Sequence, residues 1–232
     1  MSEKLDKLKE LQEELSKKVK VVPLSHFPRL VGGADVSYPE PSSALGVIVI
    51  YDLKTRKVLE EVFAVEKVSF PYIPGFLSFR ETPVLKKAFV RLKNIPEVLM
   101  VDGQGILHPR GLGLASHLGL ELSIPTIGVA KKPLLGQFEP PEDKPGAFSP
   151  IFVQGEIKGA VLRTRKGVKP VYVSPGHLID LDSALKVVKA SLSGYRIPEP
   201  LRKAHLLTQR LRRECCDYPG WGHRQQGRGE NP

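Results

Sequence analysis

The sequence predicts an α/β fold: a mixed central sheet with helices on its faces. Two patterns carry this. Residues 30–65 hold three strand-like runs joined by short turns, an antiparallel meander. Beyond the meander, strand and helix patterns alternate around the apolar run Val98-Leu99-Met100-Val101. That run is too short for a helix and has the length of a fully buried strand.

Taken in order, residues 3–19 space Leu5, Leu8, Leu11, Leu15 and Val19 three or four apart among Lys and Glu, an amphipathic helix that docks on the core. Val21 to Leu30 is a proline-punctuated linker. Leu30–Tyr38, Leu45–Asp52 and Val58–Val65 are the meander strands. Ser69–Phe76 is a stiff loop, because Pro71 and Pro74 fix φ while Gly75 permits a sharp bend, and its aromatic and apolar tips have no evident place in the core. A helix is expected over Phe79–Lys93 with Glu81 in its first turn, then a strand at 98–101, a helix over Leu112–Leu118 and a strand over Thr126–Ala130. After the Pro-rich connection 139–150, strands are expected at 151–153, 157–163 and 170–174, and helices over Leu181–Leu192 and Pro198–Arg213, the latter opened by proline. Residues 1–213 read as one domain with an N-terminal helix. Residues 214–232, rich in Gly, Gln and Arg, read as a mostly disordered tail with Trp221 as a local anchor.

At 232 residues the chain has room for a sizeable core. Its 35 Lys and Arg against 25 Asp and Glu give a net charge of +10, which favours a polyanionic partner, nucleic acid before membrane. Lys158 to Lys169 carries five basic residues and no acid. That hairpin is either a phosphate-facing surface or an edge guarded by charge. Cys215 and Cys216 are adjacent, so they neither staple distant segments nor match metal-site spacing. A charged stretch follows Met1, and no run approaches the roughly 20 apolar residues of a membrane span. The expectation is a cytoplasmic protein without membrane association.

Three acids stand out. Asp35 lies inside the first strand between Ala34 and Val36, Glu81 opens the helix after the meander, and Asp102 ends the apolar strand and is followed by Gly103-Gln104-Gly105. A sheet whose fourth strand lies beside its first brings all three to one end. Converging carboxylates repel, and a divalent cation with hard oxygen ligands, Mg²⁺ or Mn²⁺, relieves the repulsion. Such a site suits attack of water on a phosphodiester. Each acid also has a plainer role: Asp35 as an edge-strand solubiliser, Glu81 as a helix-dipole partner, Asp102 as a turn former.

Five blocks in order make the sequence recognisable. They are Val31-Gly32-Gly33-Ala34-Asp35-Val36-Ser37-Tyr38, Pro71-Tyr72-Ile73-Pro74-Gly75-Phe76-Leu77-Ser78-Phe79-Arg80-Glu81, Asp102-Gly103-Gln104-Gly105-Ile106-Leu107-His108-Pro109-Arg110-Gly111, Ile127-Gly128-Val129-Ala130-Lys131-Lys132, and Tyr195-Arg196-Ile197-Pro198-Glu199-Pro200. From about Leu24 to Arg213 the chain closely resembles the endonuclease V family of deaminated-base repair nucleases.

The resemblance implies an RNase H-like fold and a Mg²⁺-dependent endonuclease acting on DNA that carries inosine; the hard oxygen ligands also admit Mn²⁺, and the single site suits action as a monomer. It implies hydrolysis of the second phosphodiester on the 3′ side of the lesion, leaving 3′-hydroxyl and 5′-phosphate ends. Its metal-ligand carboxylates fall on Asp35, Glu81 and Asp102. A histidine of some members falls on His205, and the lysine after Gly-Val-Ala falls on Lys131. Pro71, Tyr72, Ile73 and Pro74 become a wedge that enters the duplex, Tyr72 filling the place of the displaced base. The pocket for that base falls on Gly75, Leu77, Gly103 and Gly113, with His108 close by. Gln104 and Leu107 depart from the His and Ala usual in bacterial members. Two alternatives stay open: an endoribonuclease for inosine-containing RNA, and a non-catalytic nucleic-acid module. His117 reads as a helix-face residue and His177 as a turn residue.

Overall fold

The structure, a computed structural model, describes residues 2–217. Helix α1 (Ser2–Ser16) leads to the meander β1 (Leu30–Glu40), β2 (Ser43–Asp52) and β3 (Lys57–Lys67). Then follow α2 (Leu77–Phe89), β4 (Val98–Val101), α3 (Leu114–Leu122) and β5 (Thr126–Ala130). The chain closes with β6 (Phe148–Val153), β7 (Glu156–Leu162), β8 (Val171–His177), α4 (Leu181–Ala190) and α5 (Glu199–Asp217).

The strands form one sheet in the order β3-β2-β1-β4-β5-β8-β7-β6. The meander pairs antiparallel, β4 joins β1 in parallel, and β5 joins β4 in parallel. The remaining strands extend the far side antiparallel. This is the mixed sheet expected from the meander and the alternation that follows it, with the fourth strand beside the first.

Period-two alternation divides the residues between two layers. Ala34, Ile48, Ile50, Leu99 and Val101 pack under Val84 and Leu85 of α2 and Leu118 of α3. Val31, Met100, Ile127 and Val129 pack on the other face against Leu185 and Val188 of α4 and Leu201 of α5. Lower on α5, Ala204, Leu207 and Leu211 meet Leu45, Val47 and Val49 of β2. Each fully buried aliphatic side chain contributes about 1.5–3 kcal/mol to this sandwich. Gly33 lets α5 lie directly on β1: a Cβ there would stand 2.2 Å from the Pro200 backbone.

Some boundaries differ from expectation. In α1 it is Gln12, not Leu11, that is buried, while Leu11 is 39% exposed. The stripe turned to the protein runs through half-buried Leu5, Leu8 and Leu15 and buried Gln12 rather than through position 11. Helix α2 begins at Leu77, so Glu81 sits in its second turn, beyond the reach of the simple helix-dipole reading. Helix α3 begins at Leu114 and runs on to Leu122. Helix α5 continues to Asp217, four residues past Arg213, since Glu214 to Asp217 contain no helix breaker. The rest of the expected tail, with Trp221, lies outside the described residues. Among the described residues no helix is long and apolar enough to cross a membrane.

Candidate active site

The register of the two central strands sets the site. Ala34 of β1 pairs with Val101 of β4 in parallel, so Asp35 and Asp102 follow in step on neighbouring strands. Both continue rows that face α5, Val31-Gly33-Asp35 and Val98-Met100-Asp102. Asp102 remains tied to β1 beyond the strand, its amide donating to the Ala34 carbonyl at 3.2 Å. Glu81 approaches from α2.

Each acid has its own partners. Asp35 is 9% exposed. Its Oδ2 accepts a hydrogen bond from the Thr208 hydroxyl at 3.0 Å and lies 3.1 Å from His205 Nδ1, both on α5. Glu81 Oε1 accepts from the Tyr38 hydroxyl at 3.0 Å. Asp102 Oδ2 is paired with the Lys131 ammonium, which reaches it from the end of β5. Arg196 holds that corner, its Nη2 donating to the carbonyls of Lys131 at 2.6 Å and Pro170 at 3.0 Å.

The acids feel one another. Burial raises the Asp35 carboxyl above its ordinary range and the charge of Asp102 raises it further, against the opposing bonds from Thr208 and His205. Burial pushes Glu81 up to about 8, with Asp35 and Asp102 adding to the rise and Tyr38 opposing it. An excess of buried negative charge at one end of the sheet is what a divalent cation neutralises. The donors are hard carboxylate oxygens, which fits Mg²⁺ or Mn²⁺. Among the described residues, no three His, Cys, Asp or Glu side chains are gathered around one point as for a bound ion. The acids stand in each other's field, and Lys131 supplies the positive charge at Asp102.

The stiff loop projects beside this centre. Tyr72 at its tip is 68% exposed; Pro71 and Pro74 are also exposed, and Ile73 is half-buried. The loop root is packed: Phe70 and Phe76 both stack near Phe79, and Arg80 donates to the Phe70 carbonyl at 2.8 Å. Leu77 is half-buried where the loop enters α2. Gly113 caps α3 so closely to the turn after Asp102 that a Cβ would stand 2.3 Å from the Gln104 carbonyl oxygen. Gly103 lies in that same turn, where a Cβ would meet Leu114 at 3.4 Å. His108 is buried, its Nδ1 accepting from the Arg110 amide at 3.3 Å, while burial, with the charge of Arg110, holds its imidazole down to about 4. Arg110 links His108 to Gly75, its Nη2 donating to the Gly75 carbonyl at 2.7 Å.

Two further histidines lie away from the acids' direct partners. His117 lies on α3 as expected, but on its buried face, with its ring edge-on to Phe79 at 5.2 Å. His177 is the last residue of β8, not a turn residue, and its Nδ1 accepts from the Lys20 amide at 3.2 Å. The basic hairpin is partly neutralised, Lys158 by Glu156 and Arg163 by Asp143. Tyr38, Thr208 and Arg196 had no role assigned by sequence. Thr208 had a readable signal: it lies three residues after His205, on the same helix face.

With this geometry in hand, comparison with known proteins is decisive. The endonuclease V family model matches residues 13–206. The chain belongs to the endonuclease V family. It is 49% identical over 185 residues to endonuclease V of Kosmotoga olearia, an alignment covering 79% of this chain and 81% of the relative. The crystal structure of the Streptomyces avermitilis endonuclease V superposes with a TM-score of 0.86 at 40% identity, covering 91% and 94% of the two chains. That of the Ciona intestinalis endonuclease V D234N variant, in complex with DNA containing an inosine followed by a ribo-adenosine, gives 0.81 at 28% identity, covering 92% and 99%. The fold is therefore the RNase H-like one, and the activity is that of a nuclease, a hydrolase of phosphodiester bonds.

Proposed function

We propose that this endonuclease V recognises inosine in DNA and hydrolyses the second phosphodiester on its 3′ side with Mg²⁺, leaving 3′-hydroxyl and 5′-phosphate ends. The observation that carries the reading is the in-step placement of Asp35 and Asp102 on adjacent parallel strands, with Glu81 facing them. These three carboxylates would hold the ion, Mg²⁺ or Mn²⁺. A bound ion supplies an activated water and stabilises the leaving 3′-oxygen. Thr208 and His205 fix the Asp35 oxygen, Tyr38 fixes Glu81, and Lys131, held at Asp102, stands where a phosphate would meet its ammonium.

Recognition falls to the loop. Tyr72 enters the duplex and replaces the stacking of the base that leaves. The extruded base meets backbone at Gly75, Leu77, Gly103 and Gly113, beside a neutral His108. A pocket of backbone donors separates hypoxanthine from adenine, because O6 accepts where the adenine amino group donates.

A second reading, cleavage of inosine-containing RNA, is favoured by one observation. The Ciona relative was crystallised on a strand with a ribonucleotide directly after the inosine. A non-catalytic module is disfavoured by the presence of all three acids.

The test is cleavage of matched duplex DNA and single-stranded RNA, each with one inosine, in Mg²⁺ and in chelator. DNA cut at the second bond only with metal is expected. RNA cut far faster moves the function to RNA. Binding without cutting of either makes this a binding module.

A further inference from the structure

Helix α1 is mostly exposed, yet one of its polar side chains is fully buried. Gln12 is 0% exposed, while Leu11, Glu13 and Glu14 beside it face solvent. Its amide is fully used by two distant segments. Nε2 donates to the Gly75 carbonyl at 3.1 Å, and Oε1 accepts from Arg110 Nε at 2.5 Å. Arg110 closes the triangle, its Nη2 donating to the same Gly75 carbonyl at 2.7 Å while its guanidinium lies 4.7 Å above the Phe76 ring.

A helix that only had to dock would carry an apolar residue at this point of its inward stripe. Burying an amide costs free energy unless each polar atom is paired. Here the pairing is spent on the root of one loop, three residues from the exposed Tyr72. We propose that Gln12 is a positioning residue for lesion recognition. It fixes the Gly75 carbonyl and, through it, the angle at which Pro71–Pro74 carries Tyr72 into the nucleic acid. A loop held in its inserting geometry loses less conformational freedom on binding. The inference rests on the inosine-directed reading above.

The test is a double-mutant cycle in steady-state kinetics on inosine-containing duplex DNA with Mg²⁺. Gln12→Leu keeps the volume and removes both bonds. The expected result is KM raised about tenfold, the effect of losing about 1.4 kcal/mol, with kcat within about twofold of wild type. In the Tyr72→Ala background the same substitution is expected to change KM by less than about twofold, because its route of action is already gone. An unchanged KM overturns the proposal. So does the same tenfold rise in both backgrounds, which marks a general structural effect. If Gln12→Leu does not fold, Gln12→Glu takes its place: it keeps the acceptor for Arg110, loses the donor to Gly75, and is expected to shift KM in the same coupled way. The two readings fail differently. A wild type that treats inosine and undamaged DNA alike defeats the recognition reading itself. A discriminating wild type, a defective Tyr72→Ala and unaffected Gln12 variants defeat only the role of Gln12.

Discussion

Thr208 donates its hydroxyl to Asp35 Oδ2 across 3.0 Å, joining the last helix to the first strand over 173 positions of sequence. The bond favours the charged form of a carboxylate that burial and Asp102 push towards neutrality. Thr208→Val keeps the shape and removes the donor. The expected outcome is a fall in cleavage rate of about tenfold at limiting Mg²⁺, the scale of one hydrogen bond to a charged group, with less loss when Mg²⁺ saturates. Titration of the rate against Mg²⁺ measures it, and an unchanged curve assigns Thr208 to packing alone.

Glu81 trades stability for function. Burial, with two other acids facing it, pushes its carboxyl up to about 8, so folding without metal makes it take up a proton that the unfolded chain leaves off at neutral pH, a cost an amide avoids. Glu81→Gln is expected to abolish cleavage and, in chelator, to raise the melting temperature by about 2–4 °C, the shift that accompanies 1 kcal/mol in a chain of this size. Calorimetry beside a cleavage assay checks the opposed signs. A melting temperature that falls in chelator contradicts the repulsion.

Gly113 has φ −76°, which any residue adopts, so an alanine there tests close approach alone. Its Cβ would meet the carbonyl oxygens of Gln104 at 2.3 Å and Gly105 at 2.6 Å. Gly113→Ala must push the turn after Asp102 away from α3. Overpacking of this kind costs about 1–3 kcal/mol, and the preference for inosine over undamaged DNA is expected to fall with it. Denaturant midpoints and paired binding isotherms report the two effects.

Glu199 anchors the start of α5, the helix that presents His205 and Thr208. Arg202, bonded to it at 2.7 and 2.8 Å, holds its carboxyl at about 2, helped by Ser193. The unfolded chain takes up this proton near 4.5, the folded one only near 2. The stabilisation is therefore complete above the higher value and lost as pH falls towards the lower. Glu199→Gln is expected to cost about 2 kcal/mol at neutral pH. The gap from wild type should close as urea unfolding is repeated from pH 5 down to pH 2. A gap independent of pH means that the ion pair is not its source.

Much of this was readable from residues. The turn pattern of 30–65 and the apolar run at 98–101 define which strands neighbour one another, and so where Asp35 and Asp102 fall. Of the acids' partners, His205 and Lys131 were named only through the family resemblance, and Tyr38 and Thr208 were not assigned, because they arrive from other elements. Thr208 and His205 meet Asp35 only because α5 lies flat on β1 at Gly33. Gln12 was missed for a different reason. A search for leucine spacing accepted Leu11, whereas the 5-8-12-15 stripe that the helix turns to the protein includes a polar residue. Helix bounds slipped at α2 because Leu77-Ser78 reads as loop until Phe76 and Phe79 are seen to stack across it.

Asp35 and Asp102 ride on paired strands, and their separation is that of a sheet ladder, about 4.8 Å between strands. Tyr72 rides on a surface loop. Ladders in a core open only with the whole molecule, while loops open with far less energy. Warming should therefore blur the choice of target before it blunts the cutting edge: near its melting temperature this enzyme turns indiscriminate first and inactive afterwards.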